Sequence, residues 1–253
     1  MSKIISIHSF RGGTGKSNTT ANLAATVARW GHRVGIVDTD IQSPGIHVLF
    51  GFDDKSMTHS LNDYLWGKCT IEDTAYDVSS VLREAQTPKS KIYLIPSSIK
   101  AGDITKVLRE GVDFGLLSDG FYELIEELQL DYLFIDTHPG INEETLLSLT
   151  ISDVLLVVLR PDRQDFQGTA VTVEVARKLA VPKMFLIVNK ALQSFDFDAL
   201  KVEVEKTYKA PVAAILPHSE DMIQLASSGI FCLNYPKHPL SKEIETIAQL
   251  AIG

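Results

Sequence analysis

Residues 4–30 run an apolar segment, a glycine-rich loop and an amphipathic segment together without a gap. Ile4–His8 reads as a buried strand, FRGGTGKS fills positions 10–17, and a helical pattern runs from Lys16 to Trp30. A strand that turns through glycines straight into a helix brings backbone N–H groups and a helix N-terminus to one point. That point suits phosphate. Gly12, Gly13, Thr14, Gly15, Lys16, Ser17 and Asn18 are the expected binding loop, with Lys16 placing a full charge at the β- and γ-phosphates and Ser17 offering a hydroxyl to Mg²⁺. The alternative is a glycine-rich turn with a chance G-K-S, and the flanking strand and helix speak against it. The usual spelling, G-x-x-x-x-G-K-[ST], puts a glycine at position 10, where this chain has Phe10 followed by Arg11.

The rest of the chain repeats the strand–helix alternation. Strands are expected at Ile4–His8, Arg33–Asp38, Lys91–Pro96, Asp131–Asp136, Asp153–Pro161, Lys183–Lys190 and Val212–Pro217. Most are continuous apolar runs, the pattern of parallel strands covered on both faces. Helices are expected at Lys16–Trp30, Gly115–Leu128, Glu143–Thr150, Gln167–Leu179 and Glu220–Ser227. The fold class that follows is α/β, a doubly wound, mostly parallel sheet with helices on both faces. No linker or internal repeat divides residues 1–253, which read as one domain. Asp53–Lys89 is the least regular stretch, with short helices expected around HSLNDYLWG.

Further site residues fall at strand ends, where ligands gather in such sheets. Asp38 and Asp40 leave the second strand as D-x-D, so both carboxylates are expected near the phosphates; capping of the next turn is the plainer reading. Asp136 ends YLFID as a Walker-B carboxylate would, followed by a Pro139-Gly140 turn suited to sensing a γ-phosphate. Asn189 in LIVNKA can donate to and accept from an adenine edge, and the segment from Pro217, LPHSEDMIQLASSG, can close over the base; turn formation is the bland reading of both.

These elements, in this order, resemble the MinD/ParA family of deviant Walker-A P-loop ATPases over almost the whole chain. The family loop K-G-G-x-G-K-[ST] corresponds to Arg11-Gly12-Gly13-Thr14-Gly15-Lys16-Ser17. Its D-x-D corresponds to Asp38 and Asp40, its Walker-B and switch turn to Asp136–Gly140, its base-binding asparagine to Asn189 and its strand-end proline to Pro217. The resemblance implies ATP and Mg²⁺ as ligands. It implies phosphate and Mg²⁺ binding by Lys16 and Ser17, support of the Mg²⁺ shell by Asp38 and Asp136, and orientation of the attacking water by Asp40. It also implies an ATP-dependent homodimer in which the second loop position reaches the partner's phosphates; here that position is Arg11, not lysine. Arginine is a natural finger, and Lys16 makes a second cation partly redundant within one chain. Pairing of Arg11 with a nearby carboxylate such as Asp38 is the alternative. The implied output is slow hydrolysis that times the positioning or partitioning of a cargo, with a protein adaptor or activator.

Composition narrows the partners. A net charge of -8 and a pI near 5.4 are a poor match for nucleic acid or an anionic membrane, so nonspecific DNA binding has little support. The lysines of DALKVEVEKTYKA interleave with Glu203 and Glu205 and read as a solvated, salt-bridged face. Ile244, Ile247, Ala248 and Ala251 share one face of the final helix, whose other face carries Glu243 and Glu245; it reads as packed on its own core rather than on lipid. No signal peptide and no apolar run of ~20 residues is seen, so the expected location is the cytoplasm. Cys69 and Cys232 form no C-x-x-C pair, against a metal-cluster carrier. An ATP-dependent ligase or carrier on the same fold, or a scaffold with little turnover, is the rival class. His138 reads as a turn histidine or a proton donor, Asp165 as a helix cap, Arg163 as a partner contact, and Trp30 and Trp66 as packing residues.

Overall fold

A computed structural model describes residues 2–53, 55–85 and 87–253, without the side chains of residues 83–85. The expected single domain, residues 1–253, and the irregular stretch 53–89 include residues 1, 54 and 86, which lie outside the described residues. The strands are β1 (Lys3–His8), β2 (Arg33–Asp38), β3 (Tyr76–Asp77), β4 (Lys91–Ile95), β5 (Tyr132–Asp136), β6 (Val154–Leu159), β7 (Lys183–Ala191) and β8 (Val212–Pro217). They form one sheet in the order β3-β4-β2-β5-β1-β6-β7-β8, parallel except for β3, which runs antiparallel to β4. All seven expected strands are present. β3 was not anticipated, because two residues carry no periodicity.

The helices are α1 (Lys16–Arg29), α2 (Ile46–Leu49), α3 (Leu61–Leu65), α4 (Ala101–Glu110), α5 (Phe114–Glu127), α6 (Glu143–Ile151), α7 (Arg163–Lys178), α8 (Phe197–Tyr208), α9 (Glu220–Leu225), α10 (Phe231–Asn234) and α11 (Pro239–Ile252). Alternation along the strands sorts them into two layers. Ile5, Ile7, Val34, Ile36 and Phe134 share a core with α1, α10 and α11, whereas Ile4, Val37, Leu133 and Ile135 share one with α3 and α5. Leu155, Val157, Leu186 and Val188 meet α7 and α8 in a third cluster.

α1 is built from small residues, and all of Thr19–Ala28 is buried, which lets the helix lie close to the sheet behind the glycine loop. In α11, Ile244, Ile247, Ala248 and Ala251 are buried, as their shared face leads one to expect. Lys201, Lys206 and Lys209 are exposed as expected, but the expected salt bridges are not formed among the described residues. Among the described residues no ion pair joins Lys201, Lys206 or Lys209 to a carboxylate; Glu205 instead accepts from the Val212 N–H at 2.9 Å, closing the turn into β8. Among the described residues no helix is long and apolar enough to cross a membrane.

Candidate functional site

Sheet register assembles the site. Asp38 on β2 is paired with Asp136 on β5, and Asp136 in turn with Ile7 on β1, so two strand-end carboxylates stand side by side where β1 enters the loop. Asp136 is buried. Its Oδ1 accepts from Lys16 Nζ and from Thr20 Oγ1, each at 3.0 Å, and its Oδ2 has no partner. Thr20 lies one helical turn beyond Lys16, and nothing in its spelling marks it for this role. Asp38 accepts from the Asp40 N–H (3.1 Å) and the Gly45 N–H (3.2 Å), so it also shapes the turn that carries Asp40. Burial, and then the charge of Asp136, push the Asp38 carboxyl well above the usual carboxylate range.

The loop is held from behind. Gly13 and Gly15 adopt φ of 78° and 96°, values that favour glycine. Asn189 Nδ2 donates to Thr14 O (2.8 Å), Lys190 Nζ donates to Gly13 O (2.7 Å), and a Cβ on Gly15 would stand 2.5 Å from Asn189 Nδ2. Asn189 Oδ1 also accepts from the Lys190 N–H (2.8 Å). The amide therefore keeps one N–H and one lone pair free for a base edge. Lys190 has no role in the sequence reading; only the fold brings it to Gly13.

Two groups behind the loop are buried without full pairing. Thr137 Oγ1 gives its single hydrogen to Ile7 O (3.0 Å), so it accepts from His8 Nδ1 at 2.8 Å and leaves His8 Nε2 bare. Burial, the Lys16 charge and His138 hold the His8 imidazole down at about 3. Glu144, in the first turn of α6, has an unpartnered Oε1; burial and the charges of Asp40 and Asp38 push its carboxyl up to about 8. Sequence reasoning passed over both, although a glutamate just after the switch turn is a visible signal.

The departure at positions 10 and 11 has a structural counterpart in α7. A Cβ on Gly168 would lie 1.9 Å from Phe10 Cδ1, so the ring occupies the space that glycine leaves. Arg11 Nη1 lies 3.4 Å from Asp165 Oδ1 and 3.6 Å from Asp162 Oδ1. Arg11 is thus paired within the chain, with these aspartates and not with Asp38. Asp165 is not the helix cap. Asp162 caps α7 by accepting from the Gln164 and Asp165 N–H groups, whereas Asp165 is buried and accepts from the Arg160 N–H (2.9 Å) and Nε (3.2 Å). Arg163 is exposed.

Two cavities meet at the loop. Ser9, residues 12–18, Asp40 and Pro139 bound the first. A Cβ on Gly12 or Gly13 would project into open space, and Thr14 Oγ1 is buried without a partner. The second, about 230 Å³, lies between Asn18, Asn22 and Asn189 on one side and Leu216, Pro217 and Met222 on the other. A polar cradle of glycines and one lysine beside an apolar slot of this size fits a nucleotide. Ser17, Asp38 and Asp136 are hard oxygen donors of the kind Mg²⁺ takes.

A family model described as an AAA domain matches residues 2–188. The chain belongs to that AAA domain family. Its fold is that of the MinD/ParA P-loop ATPases, and ATP hydrolysis is a capacity of the family. The chain is 28% identical to an uncharacterized ATP-binding protein of Methanocaldococcus jannaschii, over 100% of this chain and 89% of the relative. It is also 28% identical to an iron-sulfur cluster carrier protein of Methanococcus maripaludis, over 75% of this chain and 61% of the relative. The septum site-determining protein MinD of Pyrococcus horikoshii, solved with Mg-ADP, superposes with a TM-score of 0.79 at 22% identity, covering 99% of this chain and 96% of that one. Cys232 is buried in one core, Cys69 packs against another, and both are free thiols.

Proposed function

We propose that the chain binds Mg-ATP, hydrolyses it slowly, and uses an ATP-dependent homodimer to position or partition a cargo in the cytoplasm, with a protein adaptor or activator as partner. The observation that carries this reading is the convergence of Lys16, Asp38, Asp40 and Asp136 on a glycine cradle whose Arg11 is only partly covered.

Each residue has a stated task. Residues 12–18 receive the phosphates through backbone N–H groups, and Lys16 exchanges Asp136 for the β- and γ-phosphates. Ser17, Asp38 and Asp136 hold Mg²⁺, which supplies charge neutralisation when bound. Asn189 and Pro217 flank the base. Asp40 orients a water toward the γ-phosphorus. The water oxygen bonds to phosphorus as the bond to the bridging oxygen breaks, and the products are ADP and inorganic phosphate carrying the water's protons.

Arg11 supports the dimer. Its side chain is 37% exposed, and exposed ion pairs contribute only about 0–1 kcal/mol. Asp165 keeps its Arg160 contacts when Arg11 leaves, so exchange of Asp165 for a partner's phosphate costs little. The test is the Asp40→Ala variant with ATP and Mg²⁺. It is expected to bind ATP, to lose hydrolysis and to accumulate as a dimer by light scattering. Wild-type turnover in this variant would exclude Asp40 from the reaction, and a monomer at saturating ATP would exclude the switch.

A further inference from the structure

His138 occupies the turn after Asp136, and the tasks above leave it without one. In the structure its Nδ1 lies 2.6 Å from Asp40 Oδ1, with the two side chains only 20% and 12% exposed. An ionised carboxylate can only accept, so the hydrogen of this short bond sits on Nδ1. The same Asp40 oxygen accepts from the Ser43 N–H at 3.2 Å. Oδ1 is therefore engaged from both sides, while no described residue bonds to Oδ2. The bond also joins two separate loops. Asp40 follows β2, His138 follows β5, and the Gly140 N–H donates to Ser9 O at 3.0 Å, so the chain from D-x-D through the switch turn to the glycine loop is continuously hydrogen-bonded.

From this geometry we infer that His138 is a positioning residue for hydrolysis. Its Nδ1–H fixes Asp40 in one orientation, turns Oδ2 toward the attacking water, and makes the D-x-D loop and the switch turn move as one unit. This rests on the ATPase reading of the same site. A carboxylate free to rotate spends only part of its time aligned, and loss of alignment lowers the rate without lowering ground-state affinity. A solvent-facing turn histidine would leave both quantities unchanged, and a merely structural one would move both together.

The experiment uses the full chain with ATP and Mg²⁺ and two readouts. In His138→Ala, turnover falls by about tenfold to a hundredfold, the worth of one charge-assisted bond, while ATP affinity by calorimetry stays within about twofold. His138→Asn retains an N–H donor near the place of Nδ1 and turns over faster than His138→Ala. Without nucleotide, ring nitrogen NMR shows His138 Nδ1 bearing hydrogen, and Asp40→Ala shifts that resonance. Wild-type turnover in His138→Ala, equal losses of turnover and affinity, an asparagine variant no faster than alanine, or a bare Nδ1 each overturns the inference. A wild-type chain that never hydrolyses ATP sinks the ATPase reading instead, and the ring spectrum still decides whether His138 holds Asp40.

Discussion

Phe10 and Gly168 fit together only because Gly168 has no side chain: a Cβ there would stand 1.9 Å from Phe10 Cδ1 and 2.3 Å from Cγ. The aromatic ring that replaces the customary first glycine of the loop is thereby seated in α7. Gly168→Ala sets two effects against each other. Alanine favours the helix by about 0.5–1 kcal/mol, whereas forcing a methyl into filled space costs about 1–3 kcal/mol. Because Cγ is near the ring's root, the loop or the helix must shift, and the second effect wins. Urea denaturation is expected to show a net loss of stability, calorimetry a weaker ATP affinity, and Phe10→Ala in the same background a partial recovery of both.

Lys16→Ala should do more than weaken ATP. Charge-assisted contacts to phosphate are worth roughly 1.5–3 kcal/mol each, so affinity falls about tenfold or more. The buried Lys16–Asp136 pair means that the variant also strands a carboxylate, at a cost of about 3–5 kcal/mol. Adding Asp136→Asn to Lys16→Ala is expected to restore part of the thermal stability and none of the affinity. An unchanged melting temperature in the single variant would show the pair to be incidental.

Arg11→Ala is expected to leave the monomer's stability within about 1 kcal/mol, because Arg11 is 37% exposed and the buried Asp165 keeps its Arg160 contacts. In the Asp40→Ala background it should abolish the ATP-dependent dimer, and Arg11→Lys should keep it in part, since lysine brings the charge without the planar fork. Light scattering with ATP and Mg²⁺ reads this directly. An Arg11→Ala dimer as tight as its parent would confine Arg11 to the contacts it makes within its own chain.

Two buried groups give the nucleotide-free protein opposite pH dependences. Glu144 is held up at about 8 against 4.5 when unfolded, so the native state keeps a proton that the unfolded state releases. Stability from this group is full below pH 4.5 and is lost as the pH rises toward 8. His8 is held down at about 3 against 6.5, so its contribution is full above pH 6.5 and is lost on acidification toward 3. Denaturation across this range should show Glu144→Gln gaining on the wild type as the pH rises, by at most about 1.4 kcal/mol per pH unit. A constant difference would mean that Glu144 is already ionised in the fold.

The strands were legible because burial on both faces leaves an unbroken apolar run, as in VLLVVL of β6. The placement of Asp38, Asp40 and Asp136 beside the glycine loop was legible for a related reason: the carboxyl ends of such strands gather on one edge of the sheet. What the sequence hides is set by register and by distance along the chain. Lys190 reaches Gly13, Thr20 reaches Asp136 and Arg11 reaches Asp165 only after the sheet has closed. The cap of α7 was placed at Asp165 instead of Asp162 because both precede the same apolar pattern, and only the N–H groups at Gln164 and Asp165 tell them apart.

β1 is made long before either of its neighbours in the sheet. Lys3 waits for Tyr132 and Ile5 for Val154, so β1 has no strand beside it until β5 and β6 have been made. At ~5–20 residues per second, the nascent chain carries a complete glycine loop with no floor beneath it for many seconds. Long-range parallel pairing then adds its own delay. A ligand held by the loop only once β5 and β6 are in place would stabilise finished chains and not partly made ones.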